Sequence, residues 1–402
     1  MSSIKLKGDT SGEITLDTPA VAGTNTLTLP AETGTLATNN TVNNTVYNHL
    51  GVRNLIINGD MRIAQRGTSA TGKTTSGYYT CDRWNNVFSG AGTWTFEQDT
   101  DVPSGQGFAN SLKMSCTTAN ASLGATASLQ LHHRLEGQNL QYIKKGTSNA
   151  ESLTLSFWVK SNKTGTFVVN LQDIDNTRMI GYAYTISSAN TWEKKTVTFD
   201  GDTSGTLDDD NGQSMRLAFW FASGSNYTSG TTPTSWEAKD DTDQAGDLSV
   251  NLADSTSNYI NITGVQLEVG DTATPFEHRP YDMELARCQR YCYEVGAKGR
   301  VNQVVQLGFM YDTTRARTFI SFPVTMRTYP SVTSTDIANS IEFNVNSNSA
   351  YVNSLATPFG TANDTSGIML QGTLSSGTGT AGESRYLRFV DANVQLIFDA
   401  EL

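Results

Sequence analysis

Between residues 93 and 269, apolar side chains recur at every second position in one run after another, with turn-forming residues between the runs. In 153–160, Leu153, Leu155, Phe157 and Val159 alternate with Thr154, Ser156, Trp158 and Lys160. Successive side chains of an extended strand point to opposite faces, so this run presents one apolar and one mixed face. Runs at 93–97, 112–116, 127–131, 166–172, 180–186, 193–199, 216–222 and 259–269 repeat the pattern. Eight or nine antiparallel strands of this kind predict a two-sheet jelly roll, with 140–145 as a short helix or irregular crossover.

The last run leads into a different pattern. Ile260, Ile262, Val265, Leu267 and Val269 alternate with one slip at Gly264, as in a strand with a bulge. Pro275 and Pro280 then interrupt regular structure, because each fixes φ and removes a donor. Beyond them Tyr281, Leu285, Cys288, Cys292 and Val295 are spaced as one stripe of a helix. Two readings fit that spacing: a helix packed on its own chain, or one joining copies of the chain. Strands return at 302–311, 318–325, 341–346, 368–372, 386–391 and 394–398, enough for a second, smaller β-sandwich.

Composition narrows the partners. Charged residues make up 17% and the net charge is −11, with no basic run, which excludes a phosphate backbone as a partner. Four cysteines in 402 residues are no disulfide framework and read as buried thiols. The N-terminus has no apolar h-region, and no window offers the ~20 apolar residues of a membrane helix, so a cytoplasmically made, soluble protein is expected.

No catalytic constellation stands out. His49, His132, His133 and His278 lie near no nucleophile elbow. His132 and His133, at a strand end, read as a surface residue beside a half-buried one, and His278 as support for a domain junction. The acidic run Asp208, Asp209 and Asp210 reads as a solvated loop, with Ca²⁺ as the alternative. No cofactor is expected, and the chain is read as a non-enzyme. Saccharides bind exposed aromatic faces flanked by hydrogen-bonding side chains, and Tyr227 and Trp236, in a polar insertion at 222–247, are the candidates on placement. Trp158, Trp192 and Trp220 read as cover for a sheet face.

Several segments resemble virion fibre proteins of tailed bacteriophages. They are IKLKGDTSGEITLDTP with TLTLPAETGTLAT near the N-terminus, NLIINGDM (54–61), QRG (65–67), DRW (82–84), TPFEHRPY (274–281), RCQRY (287–291) and FPVTMRTYPSVT (322–333). The runs at 153–171, 192–199 and 260–270 resemble a carbohydrate-binding-module jelly roll. Asp82 and Arg83 read as a fold-defining ion pair over Trp84.

These resemblances imply an all-β homotrimeric fibre that attaches to a host surface glycan or protein. Residues 1–50 form an N-terminal region that attaches to another virion protein (tail, baseplate or capsid) or trimerises the chain, with short strands at 4–6, 13–16, 26–29 and 34–36 and a linker at 39–46. Residues 51–280 form the jelly roll, 281–298 a connecting helix and 299–402 a distal tip. The fibre resemblance favours the trimeric reading of the helix, with Tyr281, Leu285, Cys288, Cys292 and Val295 facing two copies. The location implied is the virion. The rivals are a decorating fibre without a receptor and a glycan-cleaving fibre.

Overall fold

The computed structural model describes residues 3–7, 13–17, 53–296, 299–334, 340–345, 348–357, 364–375 and 379–402. The chain divides into two compact units, Met1–Val52 and Arg53–Leu402. In the first, Ser3–Lys7 and Glu13–Asp17 pair antiparallel, with Ile4 opposite Leu16 and Leu6 opposite Ile14. The expected strands at 26–29 and 34–36 and the linker at 39–46 lie outside the described residues.

The second unit is almost entirely β, as the alternating runs predict. Its N-terminal part is a two-sheet sandwich. One sheet has seven strands in the order Glu237–Ala238, Arg178–Ile186, Gly165–Asp173, Gln213–Ser223, Ser128–Glu136, Trp84–Ser89 and Gly77–Tyr78. The other has six, in the order Glu193–Phe199, Leu153–Ser161, Tyr259–Val269, Ser111–Thr118, Thr93–Asp99 and Ser69–Lys73. Apolar members of the alternating runs fill the space between them: Leu155 and Phe157 from one sheet, Phe167, Leu217 and Phe219 from the other, all with no exposed surface. The Phe157 and Phe219 rings meet edge to face at 5.0 Å. Residues 137–143 form two 3₁₀ turns, Gly137–Asn139 and Gln141–Ile143.

The slip at Gly264 is a bulge. The register with Leu153–Ser161 shifts between Thr263 and Gln266, and Gly264 has φ of 61°. That backbone region favours glycine. The bulge returns Val265 and Leu267 to the core face and leaves Gln266 and Glu268 on the other.

Chain closure distinguishes the C-terminal part from the expected sandwich. Six strands, Gln303–Met310, Arg315–Ser321, Gly367–Leu374, Asn348–Ala356, Ile341–Val345 and Ser384–Phe389, form a closed barrel. A three-stranded sheet of Cys292–Gly296, Gln395–Asp399 and Ser331–Ser334 shares the barrel's apolar core through Leu396 and Phe398.

The connecting helix is shorter than its stripe. It runs Tyr281–Gln289, and Cys292–Gly296 is already a strand paired with Gln395–Asp399. Cys292, Glu294 and Gly296 are buried while Tyr293 and Val295 are half-buried, a period of two that strand pairing imposes. Tyr281 is exposed and Leu285 half-buried, whereas Cys288 and Cys292 have no exposed surface and Val295 packs on the C-terminal core. The stripe is therefore not one helical face, and its two cysteines offer no surface to another copy. All four cysteines are buried free thiols, as expected.

The fibre-like motifs of the second unit meet where sandwich and barrel join. Asp82 and Arg83 do not pair with each other: Arg83, with no exposed surface, pairs with Glu401 and lies 3.4 Å over the Tyr291 ring. Asp82 instead accepts from the main chain and side chain of Gln65, at 2.9 and 2.5 Å. Arg66 pairs with Asp399 at 2.7 Å, and Gln65 donates to the Cys292 carbonyl at 2.5 Å. Glu277 accepts the N–H groups of Arg53 and Asn54 at 3.1 and 2.8 Å, and Arg279 pairs with Glu284 on the helix at 3.1 Å. Arg290, just past that helix, holds Glu136 of the sandwich at 2.8 Å. Among the described residues no helix is long and apolar enough to cross a membrane.

Candidate functional site: an aromatic cleft on the six-stranded sheet

The sheet face turned away from the core carries the polar half of each alternating run. On Leu153–Ser161 these residues are Ser156 and Trp158, and register places Lys194 beside Trp158. Over them lies a cleft of about 430 Å³, lined by Gln106, Phe108, Ser156, Trp158, Lys194, Gly264, Phe276 and His278, with Ala273, Thr274 and Pro275. Trp158, Phe108 and Phe276 are half-buried, and Gln106, Lys194 and His278 are exposed.

Both walls are fixed by named contacts. The 271–278 loop is tied down by Glu268, which accepts the Thr274 N–H at 2.9 Å and its hydroxyl at 2.6 Å. Gln266 accepts the Glu277 N–H at 2.8 Å. The facing wall leans on the bulge, since a Cβ on Gly264 would lie 2.5 Å from Phe108 Cζ. Phe108, Phe276 and His278 cluster with ring centroids 4.9 to 5.3 Å apart. His278 therefore lines the cleft, and its neighbours Glu277 and Arg279 support the junction instead. Aromatic faces beside amide, hydroxyl and ammonium donors match the alternating C–H and O–H surfaces of a saccharide. The lining includes no Asp or Glu.

The aromatic candidates taken from the sequence are engaged elsewhere. Tyr227 lies on the short helix Ser225–Thr228 and packs against Trp220 with ring centroids 5.3 Å apart. Trp236 donates its indole N–H to the Asp200 carbonyl at 2.7 Å, and Lys145 sits 5.4 Å over its ring. Neither lines this cleft. Trp192 lies outside it as well and donates to Asp101 at 3.0 Å. Burial pushes the Asp101 carboxyl up, but hydrogen bonds from Lys160 and Trp192 outweigh it and hold the group below its ordinary range.

His132 and His133 are both buried within Ser128–Glu136, not at the surface, and face opposite sides of the sheet. His133 stacks edge-on against Trp84 at 5.0 Å, while His132 lies on the outer face. Among the described residues no three His, Cys, Asp or Glu converge as metal ligands, and Asp208–Asp210 is an exposed turn apart from the main chain it pairs.

No family model and no curated protein matches the sequence. Solved structures give distant likenesses. The enzymatically active domain of tailspike protein 4 of bacteriophage CBA120 is 13% identical with a TM-score of 0.29, covering 54% of this chain and 21% of that one. A family 61 carbohydrate-binding module in complex with β-1,4-galactotriose is 8% identical with a TM-score of 0.28, covering 54% and 99%. The family 11 module from Clostridium thermocellum in complex with a mixed-linked tetrasaccharide is 14% identical with a TM-score of 0.24, covering 52% and 98%. The matched part of this chain thus spans about a fifth of the tailspike domain and nearly all of either module. At scores this low none of these likenesses bears on what this chain binds.

Proposed function

We propose that the chain is an adhesive structural subunit of a tailed-bacteriophage fibre that binds a host surface glycan through the Trp158 cleft. The observation that carries the reading is the cleft itself: an open aromatic groove on a rigid sheet face, with hydrogen-bonding groups on its floor and walls. The fibre-like motifs of the second unit support it from another direction, because they form the buried joint between sandwich and barrel. A chain built this way presents a binding sheet on a fixed support.

Binding is favoured over cleavage on the lining residues. Hydrolysis of a glycosidic bond commonly uses two carboxylates across the substrate, and this lining has none. Single saccharide contacts of this kind are weak, and linked copies raise the effective affinity. Homotrimer formation, with attachment to another virion protein through the N-terminal region, supplies that multiplicity. Among the exposed apolar side chains, Leu307, Phe309 and Phe319 lie on two adjacent barrel strands and offer a surface for self-association, Leu307 being 76% exposed. Adsorption of the full chain to host cells, competed by purified surface polysaccharide, tests the reading. Adsorption indifferent to the polysaccharide would refute it.

A further inference from the structure

The Trp158 cleft carries a charge that nothing in the fold balances. Lys194 lies on Glu193–Phe199, the edge strand of the six-stranded sheet, directly across from Trp158. It is exposed, and among the described residues it makes no hydrogen bond and no ion pair. The other lysines of the sandwich are engaged. Lys73 sits 4.9 Å over the Tyr79 ring, and the rest pair with carboxylates, as Lys160 does with Asp101 at 2.6 Å and Lys113 with Asp99 at 3.3 Å. Carboxylates are in excess in a chain of net charge −11, yet Glu193, next to Lys194 in sequence, turns to Lys195, Ser187 and Ser188 instead.

The carboxylates behind the opposite wall are matched as well. Glu277 pairs with Arg279 at 2.9 Å and Glu268 with Arg53 at 3.3 Å. The lining itself has no acidic side chain, so a ligand in the cleft meets the Lys194 ammonium without a competing carboxylate. The charge is also placed to one side. Residues directly opposed on one sheet face have Cβ atoms about 5 Å apart, so a sugar ring stacked on the Trp158 indole brings one edge within reach of the Lys194 side chain. Its other edge meets Gly264 and the Phe108, Phe276 and His278 cluster, on the side of Tyr259–Val269. An ammonium has only donors and carries a compact charge, so it favours an anionic oxygen over a hydroxyl.

We infer that the Trp158 cleft selects saccharides carrying an anionic group, a carboxylate or a phosphate, and that Lys194 reads that group while the indole holds the ring. The inference rests on the glycan-binding reading of this cleft and adds the charge of the ligand to it. An exposed ion pair contributes modestly and is screened by salt, so the preference is about fivefold at low ionic strength and shrinks as salt is added.

The test is binding of the full chain to an array of uronate-bearing and phosphate-bearing surface oligosaccharides, each beside its carboxyl-reduced or dephosphorylated form. Wild type, Lys194→Met, Lys73→Met and Trp158→Ala are compared. Wild type should bind acidic members about fivefold more tightly than their neutral counterparts, and Lys194→Met should bring that ratio to about one. The thermal midpoint of Lys194→Met should match wild type, because Lys194 has no partner to lose. Lys73→Met should keep the ratio, and Trp158→Ala should weaken binding of both forms. A preference confined to uronates or to phosphates supports the inference and identifies the group that Lys194 reads. Equal binding of acidic and neutral forms by wild type, with both lost in Trp158→Ala, overturns the charge selection and leaves the glycan reading standing. A ratio that Lys194→Met retains, or that Lys73→Met lowers equally, overturns Lys194 as its source. No glycan binding by wild type, or binding indifferent to Trp158→Ala, overturns the cleft reading and this inference with it.

Discussion

Acidification from about pH 7.5 to about pH 5.5 should destabilise the sandwich through two histidines that the fold holds neutral. Burial, then the charges of Arg216 and Arg134, drives His132 well below its ordinary 6.5, and burial with Arg83 does the same for His133. Below 6.5 the unfolded chain takes up protons that the folded chain refuses, so stability falls as pH falls. For two such groups the loss over this interval is about 3 kcal/mol. Asp82 acts in the opposite sense. Burial pushes its carboxyl up to about 6, so the folded state gains a proton first and recovers about 1 kcal/mol. The net loss is about 2 kcal/mol, or a drop of roughly 1 M in the urea midpoint for an m-value near 2 kcal/mol/M. The carboxylates held below their ordinary range, such as Asp99 and Glu136, are ionised in both states above about pH 5.5 and do not contribute. Urea unfolding followed by tryptophan fluorescence measures the effect, and His132→Gln should remove about half of the histidine contribution. A midpoint that is flat or rises toward pH 5.5 would refute the reasoning.

Three perturbations address the joint, the cleft wall and the assembly. Glu401→Gln leaves Arg83 buried without its counter-charge and should cost about 3 kcal/mol in urea unfolding. Gly264→Ala places a Cβ in a left-handed backbone position and against Phe108, so it should cost about 1–2 kcal/mol and weaken saccharide binding at the cleft. Leu307→Glu with Phe319→Glu should lower the sedimenting mass of an assembled wild type, while Leu285→Asp changes it less.

The sandwich was legible because its strands declare themselves locally. Leu155 and Phe157 alternate with Ser156 and Trp158, and the same alternation places Trp158 on the outer face that became the cleft floor. The helical stripe misled for a related reason. Tyr281 to Val295 is short enough for a helix followed by a strand to imitate one periodic face, and the partner that makes Cys292–Gly296 a strand is Gln395–Asp399. Barrel closure likewise depends on Gln303–Met310 meeting Ser384–Phe389, a long-range pairing invisible to local spacing. The cleft draws on Gln106, Phe108, Ser156, Trp158, Lys194, Gly264, residues 273–276 and His278, so no contiguous motif announces it. Tyr227 and Trp236 looked available because they lie in a polar insertion, yet each covers part of the fold.

Binding to an array of surface oligosaccharides by wild type and Trp158→Ala, at matched thermal midpoints, tests the central claim most directly. Stacking a sugar ring on the indole covers roughly 60 Å² of apolar surface, worth about 1.5 kcal/mol or about a tenfold change in Kd. The account predicts that wild type binds a defined subset of glycans and that Trp158→Ala binds them about tenfold more weakly while remaining folded. Equal binding by the two proteins would contradict it.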